Sequence, residues 1–313
     1  MTRTKWFTGI VVVFAAAAAL CRQLPTLRDW WTQTRGAAIE KISAADFDFA
    51  AWTAADASRR ESLEAGLRTE IRSWPTDDPR WTTIGERLSR AYSTMPTDGR
   101  PSTLRIAGAM VERNPATAAH CRELAVAGFA DADAATRAAA VQLALHEPLR
   151  SDFELSARIE PLLLDGDPQV RRLALIAIGG NADILADDAL MPLLHDGDPE
   201  VRRLCEVAFR GRGLSDAQIR LARLISDPSP AARLQVVALL RQTPGLDADV
   251  WLRRLTTDPA PAVRAAAARA AAQSSDGNLR DRLEEMTRAD PNLTVREIAQ
   301  FYLDQSIRRA TTP

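Results

Sequence analysis

This sequence predicts an all-α fold, an α-solenoid of stacked antiparallel helix pairs preceded by an N-terminal hydrophobic helix. Three observations carry that expectation. Arg137, Arg171, Arg202, Arg233, Arg264 and Arg296 recur at intervals of 34, 31, 31, 31 and 32 residues. An aspartate stands six positions before every one of them: Asp131, Asp165, Asp196, Asp227, Asp258 and Asp290. The residues between follow helix-start rules, and a period near 31 residues that holds two helices is the mark of a stacked repeat.

Taken in chain order, the first element is MTRTKWFTGIVVVFAAAAALCRQ, in which Arg3 and Lys5 precede an uncharged run from Trp6 to Cys21. Sixteen helical residues span about 24 Å, short of a hydrocarbon core of about 30 Å. The basic start, the short apolar stretch and Ala17-x-Ala19 resemble a cleavable export signal. The other reading is an uncleaved anchor over residues 1–24, lengthened by Arg22 and steadied at the interface by Trp6. The expectation is a single-pass membrane anchor, with a secreted or periplasmic chain after cleavage as the alternative. Both place the rest of the chain outside the cytoplasm.

Residues 25–79 read as a linker and a helical cap. Periodicity is weak over 22–56, while 57–73 and 80–94 look helical. Six of the seven tryptophans (Trp6, Trp30, Trp31, Trp52, Trp74 and Trp81) fall before residue 82. Trp30 and Trp31 have two readings: contact with a membrane or partner, or cover for the exposed core of the first repeat.

The solenoid is expected over 80–313, with clear repeats over about 115–306 and a degenerate copy around Arg105. Four positions before each ladder arginine stand Asp133, Asp167, Asp198, Ser229, Ala260 and Asn292, of which all but Ala260 are helix N-cap residues. Pro168, Pro199, Pro230 and Pro261 follow, where a missing N–H costs nothing. Ala134 and Leu293 replace that proline in the first and last copies. Three positions after each arginine a small or medium residue permits close helix approach: Ala140, Ala174, Cys205, Val236, Ala267 and Ala299.

The pattern DPxVRxxAxxA resembles the HEAT-repeat family, particularly its short bacterial form, which is also seen in phycobilin lyases. The resemblance implies an Asp–Arg ladder along the stack, second helices that line a concave face, and a binding role. It also brings a runner-up, a chromophore-handling enzyme, and beside it a nucleic-acid-binding HEAT-like protein.

Paired carboxylates such as Asp165 and Asp167 raise the question of a calcium loop. That loop needs a glutamate at its twelfth position, and counting from Asp165 that position is Ile176. Helix capping by the nearer acid, and arginine pairing by the further one, accounts for every member of the motif. The arginine comes either from across the turn or from the adjacent repeat.

Composition narrows the function classes. The 40 basic and 41 acidic residues nearly cancel, which argues against wholesale nucleic-acid binding. Lysine occurs only at Lys5 and Lys41, so the cations are guanidiniums, which suit fixed carboxylate pairing. Cys21, Cys121 and Cys205 form no disulfide framework, and His120, His146 and His195 share no ligand spacing. No catalytic, cofactor or metal residues are expected, and no cofactor. The expected function is a membrane-tethered or exported scaffold without catalysis. Its candidate partner-binding residues are Arg172, Arg203, Glu206 and Arg269, alongside Glu297 and Gln300, with apolar gaps at Leu175, Val237 and Ala268. Mixed charge of this kind suits a protein or peptide partner.

Overall fold

The computed structural model describes residues 47–240, 248–273 and 277–311, and among them all regular structure is helical. The chain divides into two compact units. One runs up to Gly128 and includes His146–Pro148; the other holds Phe129–Leu145 and everything from Leu149 onward.

The first unit contains α1 (Phe49–Ala54), α2 (Ala57–Ser73), α3 (Arg80–Thr94), α4 (Arg100–Arg113) and all but the last residue of α5 (Ala118–Phe129). Aspartates begin the first two helices. Asp48 accepts the N–H groups of Ala50 and Ala51, and Asp56 accepts that of Arg59. Helix α4 packs against both α2 and α3, over a core that includes Trp52, Leu67, Ile71, Trp74, Leu88 and Leu104. Buried charge is paired here. Glu64 receives Arg105 through Nε at 2.8 Å and Nη2 at 2.6 Å. Gly85 is required by its neighbour, since a Cβ there would stand 2.8 Å from the His120 ring.

The second unit alternates first and second helices. The second helices are α6 (Ala134–Ala144), α8 (Pro168–Ile178), α10 (Pro199–Gly211), α12 (Pro230–Leu240), α14 (Pro261–Ala271) and α16 (Leu293–Thr311). Between them lie α7 (Phe153–Ala157), α9 (Asp187–Leu190), α11 (Asp216–Ile225), α13 (Ala248–Leu255) and α15 (Gly277–Ala289). Helices α7 and α9 are short, and each gives way to a tighter 3-10 turn, Glu160–Leu164 and Met191–His195. Pro161 and Pro192 explain this, because neither can donate the N–H that a longer α-helix would need there.

Asp133, Asp167, Asp198 and Asn292 cap the helices that follow them, as their spacing predicts, whereas Ala260 supplies no side-chain cap. The small-residue slot is fully used: Ala140, Ala174, Cys205, Val236, Ala267 and Ala299 are all completely buried. Helix α6 packs on α8, α8 on α10, α12 on α14, and α14 on α16. Among the described residues no comparable packing joins α10 to α12.

The membrane expectation is corrected. No helix among the described residues is long and apolar enough to cross a membrane. The longest, α16, has 19 residues and carries charges at Arg296, Glu297, Asp304 and Arg308. The proposed hydrophobic helix over 1–24, with Trp6 and Cys21, lies outside the described residues, as do Trp30 and Trp31 of the expected linker. Its uncharged run was already too short for a full span, so no transmembrane placement is retained.

Candidate functional site

The Asp/Pro turns of the second unit are built by one rule. In all six, the leading aspartate accepts the N–H two residues on: Asp131 from Asp133, Asp165 from Asp167, Asp196 from Asp198, Asp227 from Ser229, Asp258 from Ala260 and Asp290 from Asn292, at 2.8–3.0 Å. This is an Asx turn, in which a side chain replaces a backbone turn. The ladder arginine of the same repeat then folds back on that turn. Nη1 of Arg137, Arg171, Arg202, Arg233, Arg264 and Arg296 donates to the carbonyl of its own aspartate at 2.6–2.9 Å.

The other edge of the guanidinium reaches forward. Arg137 grips Asp165 with Nε at 2.6 Å and Nη2 at 2.8 Å, and Arg171 grips Asp196 at 2.8 and 2.7 Å. Arg233 and Asp258 repeat this at 2.6 and 2.9 Å, and Arg264 and Asp290 at 2.8 Å twice. Of the two pairings open to the sequence, each of these four carboxylates therefore takes the arginine of the preceding repeat. The guanidinium edge matches a carboxylate in two parallel bonds, which a lysine cannot supply. Arg137 holds Asp165 below the ordinary carboxylate range, and Arg264 does the same to Asp290.

One rung is missing. Among the described residues no hydrogen bond or ion pair joins Arg202 to Asp227, although both make the turn contacts common to the other repeats. The interruption coincides with the unpacked helix pair α10–α12. The position four after the ladder arginine explains it. Val141, Leu175 and Ala268 fill that position with apolar side chains that are nearly or fully buried where the next repeat packs on. In α10 the same position is Glu206, which pairs instead with Arg210 and Arg223. In the last repeat it is the exposed Gln300. At Glu206 the polar residue coincides with the loss of close packing between α10 and α12.

Leu175 and Ala268 are consequently not apolar gaps on a free face. Both face the succeeding repeat, while Val237 is half-buried. The four candidate partner contacts fall in different situations. Arg172 is engaged by the next capping aspartate, Asp198, whose carboxyl it brings down to about 2 with help from the Val201 N–H. Arg203 pairs with Glu200 at 2.8 and 2.5 Å, and Glu206 bridges Arg210 and Arg223. Arg269 is exposed and makes no hydrogen bond or ion pair among the described residues.

An outward-facing row lies one position further on. Five residues after each ladder arginine stand Gln142, Ile176, Val207, Ala238, Arg269 and Phe301, and all six are exposed. Ile176, Val207 and Phe301 are 51, 47 and 58 % exposed, unusual for such side chains in one register. Sequence reasoning singled out Arg269 from this row and passed over the rest. The signal was present in the alignment, as an apolar residue directly after the slot that faces the next repeat.

Two further ties were missed. Arg212 lies between Gly211 and Gly213, the latter at φ +90°, and its nearly buried side chain donates to Gly179, Leu185 and Asn181 carbonyls and to Asp187. Arg105, read as a degenerate ladder copy, pairs backward to Glu64. Cys121 and Cys205 donate to the Ala107 and Leu190 carbonyls, and burial pushes both thiols up to about 12. The His195 ring nitrogen lies 2.8 Å from the Arg223 carbonyl and 3.2 Å from Ser226 Oγ.

A family profile described as HEAT repeats matches residues 217–304, from within α11 to within α16. That segment includes Arg233, Arg264 and Arg296, and the resemblance drawn from their motif holds there. Among solved structures, YibA of E. coli aligns at 18% identity over 86% of this chain and 94% of its own, with a TM-score of 0.44. Cex1p aligns at 14% identity over 79% of this chain and 56% of its own, with a TM-score of 0.28. No curated protein matches the chain.

Proposed function

We propose that this protein is a non-catalytic scaffold that binds a protein or peptide along the second helices of its repeat unit. HEAT repeats in general mediate protein interactions, and the observation that carries the reading here is the exposed row Ile176, Val207, Ala238, Arg269 and Phe301. The ladder rungs tie α6 to α10 and α12 to α16, on either side of the break after Arg202. The row five positions on is left to solvent, with apolar side chains for affinity and an unengaged guanidinium for orientation. Mixed charge next to this row, at Arg203 with Glu200 and at Glu206 with Arg210, does not form the continuous basic strip that a phosphate backbone would want.

The test is capture of native partners by crosslinking, using the full chain with Ile176→Glu and Phe301→Glu together. The matched control changes two equally exposed apolar residues on first helices, Phe153→Glu and Val250→Glu. Circular dichroism must first show intact helices in both. Loss of partners from the first variant alone is the expected result. Loss from the control alone would move the working surface to the first helices.

A further inference from the structure

The interrupted rung leaves a prepared guanidinium. In four equivalent positions the chain shows what such a fork holds. Nη1 is fixed on the turn carbonyls of its own repeat, while Nε and Nη2 receive a carboxylate. Arg202 has the first half of this arrangement, with Nη1 on the carbonyls of Asp196 at 2.6 Å and Gly197 at 3.2 Å. Its side chain is half-buried, and among the described residues nothing occupies Nε and Nη2. A fork already oriented by two backbone contacts loses less freedom on binding than a free arginine does.

The surroundings favour an anion. On α10 and α11, Arg203 is neutralised by Glu200, Arg210 by Glu206 and Asp216, and Arg223 by Glu206. Arg202 has no such carboxylate among the described residues, and on these two helices it shares that condition with the exposed Arg220. Glu206, about one turn along the helix from Arg202, is held by two arginines. Val207, 47 % exposed, lies five residues along the same helix, in the outward-facing row. Asp227, the missing partner, instead lines a groove of ≈ 510 Å³ with Arg233 and Arg254.

We propose that Arg202 receives an aspartate or glutamate from an acidic loop of a partner protein, so that the partner completes the rung this chain leaves open. The inference rests on the scaffold reading and names the chemistry of its ligand.

The probe is a capped peptide, Ac-DGDP-amide, carrying the turn sequence of the neighbouring repeats, with Ac-NGNP-amide as the uncharged control. Both are titrated into the full chain, and the arginine Nε–H signals are followed by NMR. The Arg202 signal is assigned by its disappearance in Arg202→Lys. The acidic peptide should shift that signal and the control should not. Arg202→Lys, which keeps the charge but loses the fork, should weaken acidic-peptide binding about tenfold, and Arg202→Gln should abolish it. Asp227→Asn should leave binding unchanged. Equal binding of the two peptides, or undiminished binding to Arg202→Lys, would overturn the proposal. So would an Arg202 signal that Asp227→Asn shifts before any peptide is added, because the chain would then close its own rung. Partners still captured by Arg202→Lys, but lost on changing Ile176 and Phe301, would remove this inference and leave the scaffold reading standing.

Discussion

Replacing one ladder aspartate by alanine should cost far more at Asp258 than at Asp227, although the two residues hold the same place in consecutive repeats. Asp258 accepts three hydrogen bonds, two from Arg233 at 2.6 and 2.9 Å and one from the Ala260 N–H at 2.8 Å. The side chains of the pair are only 9 and 5 % exposed. Asp258→Ala therefore strands a buried guanidinium that keeps only its Nη1 contacts. Removing one member of a buried pair costs about 3–5 kcal/mol. Among the described residues Asp227 accepts only the Ser229 N–H, so Asp227→Ala should cost about 1 kcal/mol. Urea unfolding of the full chain, followed by circular dichroism with m-values compared, reads the difference. Double-mutant cycles sharpen it. Arg233 and Asp258 should couple by more than about 1 kcal/mol, whereas Arg202 and Asp227 should be additive within about 0.5 kcal/mol. Equal losses at the two aspartates, or matching coupling in the two cycles, would refute the interrupted ladder.

Three further outcomes follow from the same geometry. Arg171→Lys keeps the charge but cannot form both bonds to Asp196, so its urea midpoint should fall clearly, while Arg202→Lys should barely move. For pH, the carboxyls of Asp165 and Asp290 titrate lower in the folded chain than in the unfolded one. Their contribution is thus complete above the unfolded value of about 3.9 and drains away as pH falls through the folded values. Melting temperature should accordingly decline below about pH 4, and less so in Asp165→Asn. Finally, a thiol reagent at pH 8 should leave Cys121 and Cys205 unmodified until denaturant is added, since burial holds both near 12; rapid modification of either would place it at the surface.

The ladder was legible in the sequence because each of its contacts depends on a fixed spacing. An aspartate six before an arginine is an Asx turn plus a return bond, and both are local enough to recur wherever the motif does. The partner in space was less legible. Spacing alone left the carboxylate free to pair within its own turn or with the neighbouring repeat, and only the stacking decides. The interruption at Arg202 was also written in the chain, at Glu206, yet that glutamate reads as a surface residue until Val141, Leu175 and Ala268 show that its register faces the next helix. Leu175 was misplaced for the same reason. The short α7 and α9 were foreseeable from Pro161 and Pro192, whereas the Glu64–Arg105 pair spans helices whose alignment no repeat predicts.

The forward reach of the ladder has a consequence for how the polypeptide is made. Its four complete rungs join residues 28, 25, 25 and 26 apart, so every one is a short-range contact on the scale of the whole chain. Such topologies fold fast, because little loop entropy must be lost before a contact forms. During synthesis at about 5–20 residues per second, each arginine would wait only a few seconds for its aspartate to emerge. Arg137 and Arg171 find theirs once Asp196 is out, whereas Arg202 finds none when Asp227 appears. Ordering of the emerging chain thus has a natural break after Gly211, where the rungs behind are complete and the helices beyond begin a new block of their own.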